Sequence, residues 1–139
     1  MVRLTGVLLA GGILLGAAAS AAALYGRYRV LPAALTGPAI CKLEAGGCQV
    51  LFRTPRAALL GVPNSALGLL FYGTTMAGLA LGWPRIWLLP GASAALAMSA
   101  YLARTLVVQQ LECRVCWAGH VANLAIWLAL LAGMRRTRR

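Results

Sequence analysis

Long runs of apolar residues divide the chain into four segments, and the stretches between them hold most of its polar residues. The apolar runs cover about residues 4–25, 65–81, 86–108 and 115–134. Roughly 20 residues of α-helix cross a hydrocarbon core about 30 Å thick. A helix satisfies its own backbone hydrogen bonds in lipid, which a lone extended segment cannot do. The pattern therefore predicts an all-α integral membrane protein, a bundle of four transmembrane helices.

The first apolar run shares features with a secretory signal peptide. It follows Arg3 directly and ends among small residues at Ala18–Ser20. Its uncharged stretch over residues 4–25 is longer than the apolar region of such peptides, which has about 7–15 residues. We therefore expect this segment to be retained as the first transmembrane helix.

The connections between the predicted helices differ in length. Short links around residues 82–85 and 109–114 join the second helix to the third and the third to the fourth. Residues 26–64 separate the first two helices, and so long a segment in a small protein usually has a function. We expect it to be a functional loop that caps one end of the bundle, with Leu51 and Phe52 resting on the membrane surface.

Composition and charge agree with a membrane location. The chain is 61% hydrophobic and 11% charged, whereas soluble domains average about 45–50% and about 25%. The net charge is +11, and because basic residues lie beside the apolar runs, we expect lipid head groups rather than nucleic acid as partners. Basic residues are divided almost evenly between the two faces. The cluster of arginines at residues 135–139 favours cytoplasmic termini in a multi-pass protein of the inner cell membrane.

The four cysteines form two pairs, Cys41 with Cys48 and Cys113 with Cys116. In a four-helix topology the first and third loops emerge at the same end, so both pairs lie on one face. Cys113 and Cys116 stand where the fourth helix begins, and there the helix dipole and Arg114 favour a thiolate. Two neighbouring pairs predict an electron relay by thiol–disulfide exchange. Because disulfide formation belongs in oxidising compartments, we expect the cysteines on the extracytoplasmic face.

Two other interpretations of the cysteines stay open. Two structural disulfides would staple the loops of a membrane subunit that has no chemistry of its own. Four thiolates would instead hold zinc with His120 as a spare ligand, although the gap between Cys41 and Cys48 makes a poor zinc knuckle. We favour the relay and expect no metal.

Three motifs, in this order on four helices, resemble the vitamin K epoxide reductase family, including its bacterial and archaeal homologues that oxidise protein thiols. They are the loop pair Cys41 and Cys48, the sequence Pro-Asn-Ser-Ala-Leu-Gly-Leu-Leu-Phe-Tyr at residues 63–72, and Cys-Arg-Val-Cys at residues 113–116. The resemblance covers about residues 5–134. It implies a four-helix bundle around a quinone, either menaquinone or ubiquinone, with the Cys-x-x-Cys disulfide at the mouth of the bundle.

The resemblance also implies an electron route and an enzymatic activity. Cys116 would contact the quinone and pass it two electrons, and Cys48 would attack Cys113. Cys41 would then resolve the interloop bond and leave a Cys41–Cys48 disulfide. A separate thioredoxin-like or DsbA-like protein would reduce that disulfide and become a disulfide donor. Differences from the vertebrate enzymes, including a shorter first loop, favour an unmodified quinone over vitamin K epoxide as the acceptor.

Quinone contacts are implied at the start of the second helix. Asn64 matches the family's asparagine that hydrogen-bonds a quinone carbonyl, and Ser65 matches the hydroxyl residue beside it. Either residue is also a favoured N-cap type for the helix that follows Pro63, which is the alternative role.

Further quinone contacts are expected on the fourth helix. His120 stands where the vertebrate enzymes have a tyrosine that contacts the quinone, and an imidazole suits proton delivery near neutral pH. Its alternative role is a bond to a carbonyl of a neighbouring helix. Asn123 lies one turn further along the same face, and Trp117, beside Cys116, is expected to touch the quinone ring.

Overall fold

The computed structural model describes residues 2–29, 52–109 and 113–137. Four helices in these ranges confirm the all-α prediction: α1 (Val2–Tyr28), α2 (Asn64–Ala80), α3 (Arg85–Val108) and α4 (Arg114–Thr137). A 3-10 turn, Pro55–Ala57, and an antiparallel pair of two-residue strands, β1 (Ala58–Leu59) and β2 (Val62–Pro63), precede α2. Cys41, Cys48 and Leu51 lie outside the described residues.

Three of the described helices have the length and composition to cross a membrane. They are Leu4–Tyr28, Arg85–Val108 and Arg114–Met134. The remaining helix, α2, has 17 residues. At 1.5 Å per residue it is about 25 Å long, somewhat less than a hydrocarbon core of about 30 Å. The chain is a multi-pass membrane protein on these grounds, and a fourth span stays a prediction.

The two middle helices both begin directly after a proline. Pro63 and Pro84 occupy the N-cap positions of α2 and α3 with ψ of 131° and φ near −55°. The proline ring fixes φ, and the extended ψ of each proline ends the preceding segment. The chain enters the helix at the next residue. Asn64 and Ser65 are therefore the first helical residues of α2, so the alternative in which one of them is the N-cap is wrong.

Glycines allow the helices to approach each other closely. A Cβ on Gly16 of α1 would overlap the ring of Tyr72 on α2, and a Cβ on Gly12 would lie 2.9 Å from Cγ1 of Ile126 on α4. Small residues serve this purpose in membrane bundles because they let backbones come together. These glycines let α1 pack against both α2 and α4. Helix α3 packs mainly against α4. The buried cluster between them comprises Leu9, Ile13, Tyr72, Leu88, Ala92, Ile126, Ala129 and Leu130.

The segment before α2 lies against the end of the bundle where α4 begins. Phe52 is buried, with 6% of its surface exposed, and belongs to a cluster with Leu106 of α3 and Cys113. The expectation that Phe52 rests on the membrane surface is therefore wrong, because its ring fills apolar space inside the protein. The hairpin between the strands turns through Leu60 and Gly61, both with positive φ, and Leu60 is 97% exposed.

Candidate redox site

A disulfide joins Cys113 to Cys116 at the N-terminus of α4. Cys113 immediately precedes the helix, and its carbonyl accepts a hydrogen bond of 3.0 Å from the backbone N–H of Trp117. The backbone N–H of Cys116 points at Cys113 Sγ over 3.3 Å. The N–H groups of the first helical turn have no acceptors within the helix, and that of Cys116 is directed at this sulfur. The structure thus has the Cys-x-x-Cys pair at the start of the fourth helix, where the sequence predicted it.

The disulfide is enclosed by apolar side chains. Cys113 has no exposed surface, and it clusters with Phe52 and with Leu106, which is 5% exposed. Partly buried neighbours pack around these three: Ala23, Val115 and Cys116. Residues of α1, α3 and α4 and of the segment before α2 therefore meet at the disulfide. Cys116 is less enclosed than Cys113, because it is only partly buried.

Two arginines bind the segment before α2 to the end of α1. The guanidinium of Arg27 donates a hydrogen bond of 2.9 Å to the carbonyl of Phe52. Nε of Arg53 donates a bond of 3.2 Å to the carbonyl of Arg27 in return. These reciprocal bonds, here called the arginine clasp, hold Phe52 beside the disulfide. Because both acceptors are backbone carbonyls and both donors are charged, each bond is stronger than one between neutral groups.

His120 lies one turn beyond Cys116 on α4. Its Nε2 is buried and has no hydrogen-bond partner among the residues that the structure describes. The alternative in which this atom bonds a neighbouring helix's carbonyl therefore finds no support within that part of the chain. The imidazole stands edge-on to the indole of Trp117, with ring centroids 5.8 Å apart. Trp117 itself is 41% exposed, so it borders the site from the outer side of α4.

Asn123 belongs to a hydrogen-bonded network that joins three helices. The Tyr72 hydroxyl donates to Asn123 Oδ1 over 2.6 Å, and Asn123 Nδ2 donates to Ser99 Oγ over 2.8 Å and to the Ala95 carbonyl over 3.4 Å. Tyr72 and Ser99 are 2% and 5% exposed. Sequence reasoning missed both residues, although a polar side chain within an apolar run is itself a signal of an interior partner.

The start of α2 contributes Asn64 and Ser65 at the end of the bundle where α4 begins. Oδ1 of Asn64 is a buried atom, and Ser65 is partly buried. The second turn of α2 approaches α1 closely, since a Cβ on Gly68 would lie 2.5 Å from Oγ of Ser20. The start of α2 is therefore partly buried, and Oδ1 of Asn64 is shielded from water.

Metal ligands are not clustered in the described ranges, where no group of three or more histidine, cysteine or acidic residues comes together. Cys113 and Cys116 are bonded to each other there. The relay partners Cys41 and Cys48 fall between the described ranges, so their part in the site rests on the sequence.

Comparison with protein families gives a match over most of the chain. The model described as the vitamin K epoxide reductase family matches residues 7–131, which is most of the chain. Neither the curated proteins nor the solved structures give a significant match. The buried Cys-x-x-Cys disulfide among membrane-spanning helices agrees with this assignment, and redox chemistry of thiols and disulfides is what the family implies. The chain belongs to the vitamin K epoxide reductase family, and it is a membrane oxidoreductase of that kind.

Proposed function

We propose that the protein is a membrane thiol–quinone oxidoreductase that makes disulfides for a separate thioredoxin-like partner. One observation carries the proposal: the Cys113–Cys116 disulfide at the start of α4 has a buried imidazole atom without a partner among the described residues, His120 Nε2, one helical turn away. A structural staple would need no such neighbour. An exchanging disulfide that hands electrons to a proton-requiring acceptor does need one.

The exchange steps follow from the two cysteine pairs. A Cys48 thiolate attacks Cys113 Sγ, the Cys113–Cys116 bond breaks, and Cys116 leaves as a thiolate. Cys41 then attacks Cys48, which releases the Cys113 thiolate and leaves a Cys41–Cys48 disulfide. A dithiol of the partner reduces that disulfide and is itself oxidised to a disulfide. Two electrons thus pass from the partner to Cys113 and Cys116.

The residues around Cys116 suit a quinone. A quinone, when bound, supplies a lipid-soluble acceptor for two electrons and two protons. His120 Nε2 is a buried polar atom of the right kind to hydrogen-bond a carbonyl oxygen and hold a proton there. We propose that Cys116 faces the quinone and that Asn64, Ser65 and Trp117 line the same space. Asn123 supports this space through its bonds to Tyr72 and Ser99.

We further propose that α2 is a fourth transmembrane span. Arg85, the first residue of α3, lies against Gly133 near the end of α4, whereas Cys113 at the start of α4 clusters with Ala23 near the end of α1. The chain therefore has to return from the end of α1 to the start of α3, and α2 makes that passage among the described elements. A helix slightly shorter than the bilayer is accommodated by local thinning at modest cost.

Orientation follows from the chemistry, with the cysteines extracytoplasmic and the termini cytoplasmic in the inner membrane. Labelling of intact cells with a thiol reagent that does not cross membranes tests this. After mild reduction we expect Cys41 and Cys48 to be labelled, and a cysteine introduced by Trp83→Cys at the opposite end to be protected. Labelling of the introduced cysteine alone would show that the orientation is the reverse of the one proposed. Labelling of the introduced cysteine together with Cys41 and Cys48 would contradict a fourth span.

The activity is tested with the purified full chain, a reduced thioredoxin-like protein and an added quinone. We expect oxidation of the protein partner to require quinone and to be abolished by Cys113→Ala or Cys116→Ala. Native-rate oxidation by the Cys41→Ala, Cys48→Ala double variant would overturn the relay. A series of quinol-to-quinone ratios separates the structural alternative, since structural disulfides would stay oxidised throughout the series.

A further inference from the structure

The two sulfur atoms of the disulfide differ in how the protein encloses them. Cys113, which we propose is attacked during exchange, has no exposed surface, while Cys116 is partly buried. The cluster that covers Cys113 includes Phe52 and Leu106, which are 6% and 5% exposed. The electrophilic sulfur of the proposed reaction is therefore enclosed in an apolar cluster rather than open to water.

Enclosure of this kind changes which thiols are able to react. The attacking species is a thiolate, which must approach the sulfur in line with the bond and lose its hydration on the way. Moving an unpaired charge into apolar surroundings is costly. A thiol dissolved in water has no binding energy with which to offset that cost. A thiol carried by a neighbouring part of the same chain arrives at high effective concentration.

Of the two buried side chains that cluster with Cys113, Phe52 is the one that lies outside helices α1 to α4. Leu106 is part of α3 and cannot move without that helix, whereas Phe52 lies in the segment before α2. The arginine clasp fixes this segment by two bonds, from Arg27 to the Phe52 carbonyl and from Arg53 to the Arg27 carbonyl. Both bonds join this segment to Arg27 near the end of α1, so they tie the position of the phenyl ring to the bundle.

We propose that Phe52, held by the arginine clasp, determines the thiol specificity of the site by excluding small water-borne thiols from Cys113. This proposal deepens the proposed function and rests on it. A relay that exchanges electrons with free thiols would no longer be coupled to its protein partner. The exclusion of small thiols from Cys113 is measurable without quinone or partner.

The test measures how fast small thiols reduce the Cys113–Cys116 disulfide in the full chain carrying Cys41→Ser and Cys48→Ser, so that one pair remains. One 2-mercaptoethanol thiolate attacks Cys113 and releases Cys116; a second attacks the mixed disulfide, releases Cys113 and forms oxidised mercaptoethanol. Alkylation followed by peptide mass mapping counts the thiols and shows whether the mixed disulfide forms on Cys113 or on the partly buried Cys116, and the rate constant compared is that for Cys113. We expect Phe52→Ala to raise the rate constant about tenfold or more and Phe52→Leu to change it less than about twofold. Leu59→Ala, in β1 of the same segment, is the matched control and keeps the native rate.

A comparison of two thiols separates a lost shield from a loosened fold. An opening the size of a phenyl ring admits 2-mercaptoethanol far better than the larger, charged glutathione, so Phe52→Ala should raise the first rate more than the second. Arg27→Met removes one bond of the arginine clasp and keeps apolar side-chain volume. We expect it to raise the rate constant for 2-mercaptoethanol, but by less than Phe52→Ala does. A native rate in Phe52→Ala, or equal acceleration for both thiols, would overturn the proposal. A further outcome is that the small-thiol rate constants are as expected and yet the unsubstituted protein fails to oxidise its partner with quinone. That result would contradict the proposed function and support the exclusion of small thiols by Phe52.

Discussion

The hydroxyl of Tyr72 on α2 donates a hydrogen bond of 2.6 Å to Oδ1 of Asn123 on α4. Asn123 lies two helical turns beyond Cys116 on the same face of α4. Nδ2 of Asn123 in turn donates a hydrogen bond to Oγ of Ser99 on α3. Three helices are thus joined by side-chain bonds at one level of the bundle, on the interior side of the proposed quinone space.

Removing the hydroxyl of Tyr72 should weaken the bundle without emptying its core. Tyr72→Phe keeps the ring that packs against Gly16 but leaves Oδ1 of the partly buried Asn123 without this donor. We expect a loss of about 0.5–2 kcal/mol in the free energy of unfolding, the range for side-chain bonds within membranes and for buried groups left unpaired. Thermal unfolding in a fixed detergent measures it, with Tyr101→Phe on the exposed face of α3 as the control. Equal midpoints for the two variants would show that the bond contributes nothing.

Two glycines of α1 should respond differently to the same substitution. Gly16→Ala would drive a methyl group into the Tyr72 ring, whereas Gly11 has nothing within 4 Å of the position of a Cβ. We expect Gly16→Ala to destabilise the protein by about 1–3 kcal/mol through overpacking. Gly11→Ala should be neutral or stabilising, because alanine is the better helix former. The same unfolding assay checks both, and a Gly16→Ala variant as stable as Gly11→Ala would argue against the α1–α2 contact.

The hairpin before α2 stores backbone strain at Leu60. A φ of 51° is uncommon for a residue other than glycine, asparagine or aspartate because its Cβ crowds the following carbonyl, and 97% of Leu60 is exposed, so its side chain offers little packing in return. Leu60→Asn should stabilise the hairpin by up to about 1 kcal/mol, since asparagine tolerates this conformation. Leu60→Val should destabilise it. Amide hydrogen exchange at the strand residues Leu59 and Val62 reports the local effect, and the reverse order of protection would contradict the turn geometry.

His120 should matter to the quinone step and not to exchange between the cysteines. His120→Leu removes the buried Nε2 that we propose holds a proton at a quinone oxygen. We expect kcat for quinone reduction to fall about 100-fold, in the usual range for general acid catalysis. The rate at which a dithiol reduces Cys113–Cys116 should stay within about twofold. Trp127→Phe, two turns further along α4, is the control, and an equal loss in both half-reactions would give His120 a purely structural role.

The order and kind of the helices were predictable from the sequence. Apolar runs of this length have one solution in lipid, so four helices close to the expected bounds follow from hydropathy along the chain alone. Cys113 and Cys116 are three residues apart at the start of such a run, and their place on the first turn of α4 is likewise a local matter. The family was also predictable from the sequence, because the resemblance depends on short motifs and on the spacing between them.

Tertiary structure decided which side chains meet. Tyr72 and Asn123 are 51 positions apart, and Phe52 lies 25 positions from the arginine that binds its carbonyl. No local pattern reports such pairs, because they depend on how the helices are rotated and on where a loop comes to rest. An apolar residue in a polar segment has the same sequence signature whether its ring rests on lipid or on a disulfide. In the folded chain Phe52 is buried in a cluster with Cys113 and with Leu106 near the end of α3. The arginine clasp joins the backbone at Phe52 to the end of α1, and the ring fills the apolar space there.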